Sequence, residues 1–395
     1  MKTLIITAVF PPEPVVSANL SRDLAEELSI ENEVTVLCPK PTRPHGFMME
    51  NNFQQDAYRV LRLNSFTCPS SKWIGRLRES YSFGKRCQKY IELNHKNIDT
   101  IYANTWPLLA QYLTVSTAKK LKIPITIHVQ DIYPETLVNK IPIFKTLFNL
   151  IFLPIDKFVL NNATKIIAIS NKMKNYLIKT RRILDDKISV VQNWQDENVF
   201  IEYKLSNKLG VTIDKPFTFM YLGNIGPVAG VDLLIEAFYK ADLSNSRLII
   251  AGSGSMKEIL KKKAFKLKLN TIEFWDVPDG KVPEIQNQAD VMLLPIKKGS
   301  ASSSIPSKLP AYMFSEKPII ACVDKGSDTE LAIRLSKCGW IIPAENIEAL
   351  VKKMQEIAIM SPAKLLKTGT NGFDYALNNL SKKNNLSKLI NQINS

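Results

Sequence analysis

Hydrophobic residues fall into short continuous runs, separated by longer stretches in which they recur every three or four positions. The runs lie at 3–7, 33–37, 58–63, 100–103, 125–129, 165–169 and 189–191. They resume at 218–222, 247–251, 271–274, 291–295, 318–323 and 339–342. Most are rich in Ile and Val without polar alternation, as strands covered on both faces must be. Strand and helix patterns alternate from end to end, which predicts an α/β chain of doubly wound parallel sheets. The polar stretch 202–216, with Gly210 and Asp214-Lys215-Pro216, interrupts the series. It predicts a linker between two Rossmann-like domains, 1–205 and 206–372. Beyond it, Ser327-Asp-Thr-Glu330 predicts a capping box, and Ser361-Pro362 a helix start with proline at the first position. The tail 373–395 is helical in period.

Composition narrows the class without naming a function. With 395 residues, 45% hydrophobic and 23% charged, the chain has ordinary globular usage, which excludes a disordered or fibrous protein. Its 52 Lys and Arg against 37 Asp and Glu leave a formal charge of +15. That balance calls for an anionic partner: nucleic acid, an acidic lipid surface or a phosphorylated small molecule. Five cysteines (Cys38, Cys68, Cys87, Cys322, Cys338) are scattered and never spaced as CxxC, and there are three histidines, His45, His95 and His128. Neither a disulfide framework nor a metal site is expected. No run approaches eighteen uncharged apolar residues and the first strand is too short for a leader, so a cytoplasmic chain is expected.

Candidate chemistry sits where strands run into helices. Phe10-Pro-Pro-Glu-Pro14 follows the first strand and leads through Val16 and Ser17 into a helix. Such loops bind ligands in α/β sheets, and the helix start attracts anions. Ile127-His-Val-Gln-Asp-Ile-Tyr-Pro-Glu135 sets Asp131 and Glu135 at another strand end, a pair suited to proton transfer or hydroxyl binding. His128 reads as a packed strand residue. Gly223-Asn-Ile-Gly-Pro-Val-Ala-Gly230 opens the second half with glycines that admit a phosphate close to the backbone, and Gly252-Ser-Gly254 sits at the next such turn. In Gly299-Ser-Ala-Ser-Ser-Ser-Ile-Pro-Ser-Lys308, Lys308 starts a helix against its dipole, a position that an anion would compensate. Between 72 and 96, seven cations (Lys72, Arg76, Arg78, Lys85, Arg86, Lys89 and Lys96) alternate with Trp73, Tyr81, Phe83 and Tyr90. That stretch suits either an anionic lipid surface or a helix with a solvated basic face. The apolar segment 144–159 reads as a buried helix or as an apolar wall beside that surface.

In this order the motifs resemble the GT-B type retaining glycosyltransferases of family 4, which build bacterial surface polysaccharides. The resemblance runs through the 10–14 turn, Val129-Gln-Asp-Ile-Tyr-Pro-Glu135, Ile167-Ala-Ile-Ser170 and Val191-Gln-Asn-Trp-Gln-Asp196. It continues through Tyr221-Leu-Gly-Asn-Ile-Gly226, Ala289-Asp-Val-Met-Leu-Leu-Pro295, Ser304-Ile-Pro-Ser-Lys-Leu-Pro-Ala-Tyr-Met313 and Lys317-Pro-Ile-Ile-Ala321. It implies two Rossmann-like domains facing across a cleft, the second holding a nucleotide-sugar, with the last helix crossing back to the first domain. Many members carry two glutamates eight positions apart where this chain has Ser303 and Ala311, and an Arg/Lys pair where it has Asn224 and Ala229. The serine loop and Lys308, arranged as in the amino-sugar (N-acetylfucosamine-type) transferase subgroup, are read as their replacement.

The expected activity is transfer of a sugar from a nucleotide donor, a UDP-linked amino or deoxy sugar, to a lipid-linked saccharide of capsule or O-antigen biosynthesis. Retention is expected, with no metal or other cofactor and with peripheral contact to the inner face of the cell membrane. Asp131 and Glu135 are the catalytic candidates. The donor-binding candidates are Val16, Ser17, Gly223, Asn224, Gly226, Ser303, Ser304, Ser307 and Lys308. A nucleotide-sugar 2-epimerase and a non-catalytic sugar-nucleotide or membrane-binding subunit are the alternatives. Nucleic-acid binding rests on net charge alone.

Overall fold

The computed structural model describes residues 1–42, 57–68, 73–104, 107–140, 145–207, 215–267, 270–299 and 305–394, without the side chains of 139 and 140. The chain divides into two compact units, Met1–Asn193 with Asn385–Ser395, and Trp194–Asn384.

The first unit runs β1 (Lys2–Ile6), α1 (Val16–Leu28), β2 (Glu33–Pro39), β3 (Arg59–Leu63), α2 (Trp73–Asn94), β4 (Thr100–Asn104) and α3 (Leu108–Leu121). It continues with β5 (Ile125–Val129), α4 (Glu135–Lys140), α5 (Lys145–Asn162), β6 (Lys165–Ala168), α6 (Asn171–Arg181) and β7 (Ile188–Val190). Its strands form one parallel sheet in the order β3-β2-β1-β4-β5-β6-β7. Leu4, Ile5 and Ile6 of the central β1 are all buried, so both faces of the sheet are covered.

The second unit runs α7 (Asn198–Ser206), β8 (Phe217–Leu222), α8 (Val231–Ala241), β9 (Ser246–Ala251), α9 (Lys257–Lys266), β10 (Ile272–Trp275) and α10 (Val282–Asn287). There follow β11 (Val291–Pro295), α11 (Lys308–Phe314), β12 (Ile319–Val323), α12 (Asp328–Ser336), β13 (Gly339–Pro343), α13 (Ile347–Ala358) and α14 (Pro362–Asn379). The parallel order is β10-β9-β8-β11-β12-β13. Successive residues of β8 feed different cores: Phe219 and Tyr221 pack with α8 and α13, Met220 and Leu222 with α11 and α14. That alternation is the period of two expected of a doubly covered strand.

Each expected strand is present with ends shifted by at most two residues. Ser327 caps α12 by accepting from Glu330 N at 3.1 Å, and the Glu330 carboxylate accepts from Gly326 N, so the capping-box residues do cap. Ser361 stands before α14 with proline at its first turn but makes no side-chain cap bond. The division falls at 193/194 rather than 205/206. The reason is α7, which occupies the start of the expected linker and buries Phe200 in the second unit, stacked 5.9 Å from Phe314. The rest of that linker, 208–214, lies outside the described residues.

The helical tail is two helices, because the chain breaks at Leu380 and Ser381 before α15 (Lys382–Asn394). The buried Glu197 carboxylate accepts from Lys382 N at 2.7 Å and Lys383 N at 3.3 Å, serving two amides that α15 itself cannot bond. The end of α15 belongs to the first unit, where Gln392 receives Lys165 Nζ at 2.9 Å and Ser189 Oγ at 3.0 Å. Glu197→Ala therefore removes a charged cap. A destabilisation of about 1 kcal/mol or more is expected, read as a lowered Tm in thermal denaturation, with Glu197→Gln falling in between.

Candidate functional site

In a doubly wound sheet the carboxyl edge at the strand-order switch is where ligands find free polar groups. The switch lies between β8 and β11 in the second unit and between β1 and β4 in the first.

At the β8 edge, the turn Gly223–Gly226 is tied into the sheet by Gly223 N to Ala251 O (3.0 Å) and Ile225 N to Ser253 O (2.8 Å). Gly252 has φ +128, and a Cβ there would collide with the Gly223 carbonyl oxygen, so the two turns interlock only with glycine. Tyr221 donates to Asn224 O at 2.6 Å and holds the turn from beneath. Lys308 lies directly over this pair: Nζ donates to Tyr221 Oη at 2.7 Å and sits 4.4 Å from the ring centroid. The close approach needs Gly223 bare, since a Cβ there would stand 3.1 Å from Lys308 Cε.

The placement of Lys308 follows from α11. Four residues on, Tyr312 on the same helix face is buried and both accepts from Leu222 N (2.9 Å) and donates to Leu222 O (2.7 Å). Burial lowers the Lys308 pKa to about 8, and no carboxylate among the described residues opposes that shift. The result is a poorly solvated ammonium over a glycine turn, an arrangement that an anion stabilises strongly. The fold thus brings Gly223, Asn224, Gly226 and Lys308 together, with exposed Ser307 adjacent to Lys308 in sequence. Ser303 and Ser304 lie outside the described residues. Ala311 and Ala229 are buried.

Lys257 escaped the sequence reading. Its Nζ donates to Gly252 O at 2.8 Å, Trp275 O at 3.2 Å and Asp276 Oδ1 at 2.8 Å, joining the ends of β9 and β10 under the Gly252 turn. The signal was available, because Lys257, like Lys308, begins a helix against its dipole.

In the first unit, Thr7, Val9, Ser17, Asn104, Gln130 and Asp131 line a hollow of about 260 Å³ at the ends of β1, β4 and β5. Ser17 and Asp131 therefore share a wall, and Val16 stands exposed in the first turn of α1 in the same unit. Asn104 was not foreseen. It is buried, and its Nδ2 donates to Ser21 Oγ at 3.0 Å; that hydroxyl lies 3.2 Å from Thr7 Oγ1. His128 is fully buried 2.6 Å from Tyr102 Oη, and burial lowers its pKa to about 4, so it is a neutral packed residue.

Glu135 does not join Asp131 in the hollow. Its carboxylate is clamped by Arg181, with Nη2 at 2.7 Å and Nη1 at 2.9 Å, and accepts from Tyr176 Oη at 2.7 Å. Burial works to raise its pKa, but these bonds outweigh that and leave it below the usual range. The buried Arg181 also donates from Nε to Asp156 Oδ2 at 2.6 Å and from Nη2 to Tyr133 O at 2.5 Å. Glu135 thus anchors the far end of the loop that carries Asp131. Arg181→Met strands Asp156 and Glu135 without a counter-charge. A loss of about 3–5 kcal/mol is expected, read as a large fall in Tm, with Glu135→Gln costing clearly less.

Both halves of the chain resemble known proteins. Residues 17–198 match the model described as Glycosyltransferase Family 4, and residues 207–372 the model described as Glycosyl transferases group 1. The chain is 22% identical over 275 residues to the probable glycosyltransferase WbjE of Pseudomonas aeruginosa, covering 66% of each. It is 26% identical over 245 residues to the putative colanic acid biosynthesis glycosyl transferase WcaI of Escherichia coli K12, covering 59% of this chain and 58% of that one. The matches thus span somewhat less than two thirds of these curated relatives. Among solved structures, Anabaena HepE in complex with UDP has a TM-score of 0.70 at 15% identity over all of both chains. WaaG, a glycosyltransferase involved in lipopolysaccharide biosynthesis, has 0.67 at 15% over 99% of both. At such identities the likeness shows the fold, which is that of GT-B glycosyltransferases.

Proposed function

We propose that this chain, built of a family 4-like and a group 1-like glycosyltransferase domain, is a polysaccharide-building glycosyltransferase that uses a UDP-linked amino or deoxy sugar. The observation that carries this reading is the desolvated Lys308 ammonium against the Gly223–Gly226 turn, at the carboxyl edge where its sheet reverses order. A diphosphate is the anion such a site suits. HepE, with a similar fold, has been solved with UDP and with UDP-glucose.

As the bond between the anomeric carbon and the phosphate oxygen breaks, negative charge gathers on the leaving UDP. Preorganised donors there lower the barrier more than they favour the ground state. Lys308 and the turn amides fill that role without an ion of their own. Retention follows from attack on the same face, with a leaving phosphate oxygen taking the acceptor hydroxyl proton as the new glycosidic bond forms. Asp131, in the first unit's hollow, orients the acceptor, which is a lipid-linked saccharide met at the inner face of the cell membrane. Glu135 serves it indirectly, by holding the loop. Among the described residues no helix is long and apolar enough to cross a membrane.

UDP affinity measured by calorimetry is expected to be flat between about pH 7 and pH 8, where the UDP terminal phosphate is already ionised, and to weaken above about pH 8 by up to tenfold per pH unit, as Lys308 loses its proton. The sign follows from the lowered pKa of the free site, which a bound anion raises. Lys308→Met removes both the affinity and the pH step; an unchanged profile in that variant sinks the assignment. Asp131→Asn is expected to cut sugar transfer to a lipid-linked acceptor by about 10²–10⁴-fold while leaving UDP binding intact. Conversion of the UDP-sugar without any acceptor would instead identify an epimerase.

A further inference from the structure

We infer that Lys308 is a site of covalent acylation by small acyl phosphates, and that this modification closes the anion site at the β8 edge. The inference concerns regulation of the proposed donor site, and its consequence for UDP rests on that reading.

An acyl phosphate reacts where donors hold its phosphate and a neutral amine with a free lone pair stands beside them. The β8 edge offers both. Gly223 N and Ile225 N are taken up by Ala251 O and Ser253 O, whereas Asn224 N and Gly226 N have no partner among the described residues. Asn224 is exposed and Gly226 half-buried, so the turn is open to an anion. Tyr221 sets the amine. Its hydroxyl proton is committed to Asn224 O at 2.6 Å, so toward Lys308 the phenol oxygen can only accept, at 2.7 Å. A neutral Nζ held through one N–H keeps its lone pair off the phenol and available for attack. Lys308 is half-buried and its pKa is about 8. Roughly a tenth of it is therefore neutral at pH 7, against under about a thousandth of an ordinary lysine.

The step needs no further reagent. With the phosphate on the turn amides, Nζ attacks the acyl carbonyl carbon and an N–C bond forms. The bond from that carbon to the bridging oxygen breaks, and its electron pair leaves on inorganic phosphate, which takes the proton shed by nitrogen. Lys308 becomes a neutral amide that can still donate its N–H to Tyr221 but no longer balances a diphosphate.

Lys317 is the internal control. Burial and the neighbouring Lys215 lower its pKa to about 8 as well, against the pull of Asp290 and Glu316. Its Nζ donates to Asn287 O at 3.2 Å, and its charged surroundings are mixed rather than a glycine turn with open amides. A preference for Lys308 over Lys317 therefore reports the phosphate cradle and not proton affinity.

The test is to incubate the full chain with acetyl phosphate, or with N-acetoxysuccinimide, which carries no phosphate, and to map acetyl-lysines by mass spectrometry. Acetyl phosphate is expected to modify Lys308 at least about tenfold faster than Lys317, and N-acetoxysuccinimide to modify the two at rates within about threefold. Inorganic phosphate is expected to slow the first reaction at Lys308 and leave Lys317 unchanged. Equal rates at the two lysines with acetyl phosphate overturn the inference. A Lys308 preference that N-acetoxysuccinimide reproduces, or that inorganic phosphate leaves untouched, overturns it too. After treatment with acetyl phosphate, UDP affinity is expected to fall at least about tenfold, whereas the affinity of a Lys308→Arg variant, whatever its starting value, does not change. UDP binding with Lys308 left unmodified sinks the acylation alone. Selective acylation that UDP does not slow, and that leaves UDP binding as it was, sinks the donor assignment instead, so the two readings fail separately.

Discussion

A parallel strand buried on both faces has nowhere to place polar chemistry except at its ends. The rest of this molecule follows from that constraint. Both sheets are wholly parallel, and their central strands, β1 and β8, carry apolar side chains into covered cores on each side. Polar groups are therefore driven to the carboxyl edges, where Thr7, Asn104 and Asp131 gather in one unit and Asn224, Lys257 and Lys308 in the other. The glycines of the second unit extend the same logic, since their missing side chains let two turns and a lysine share a space that any Cβ would close.

Two buried cations show how differently a charge is treated when it holds structure and when it awaits a ligand. Arg181 spends its donors on Asp156, Glu135, Thr180 and the Tyr133 carbonyl, so its charge is matched within the protein. Lys308 donates to a neutral phenol, and among the described residues burial alone shifts its proton affinity. An unmatched ammonium is destabilising in isolation. At the edge of a glycine turn, such a charge is one that an anion would stabilise.

The outer helices α2 and α5 follow the same economy of burial. Each helix turns one face into the first unit's core, through Phe83, Cys87 and Ile91 and through Phe148, Phe152 and Val159. The opposite faces carry a mixture of cations and aliphatic groups that water alone does not favour. An α/β unit needs only one face of each outer helix. What the other face carries is open to a different requirement.

Local order is what the sequence by itself determined. Double-sided burial writes each strand as a continuous apolar run, caps such as Ser327 lie three residues from their partners, and glycine turns follow strands directly, so all of these are legible within a few positions. The glycines and Lys308 at the β8 edge could be singled out for the same reason. Tertiary structure decided what lies far apart in the chain. Glu135 meets Arg181 46 positions away and becomes an anchor for the Asp131 loop. Asn104 reaches Ser21 across 83 positions and joins the hollow, and Glu197 caps a helix 185 positions further on. A side chain's role depends on the charge and solvent around it, and those are set by neighbours that only the folded chain assembles.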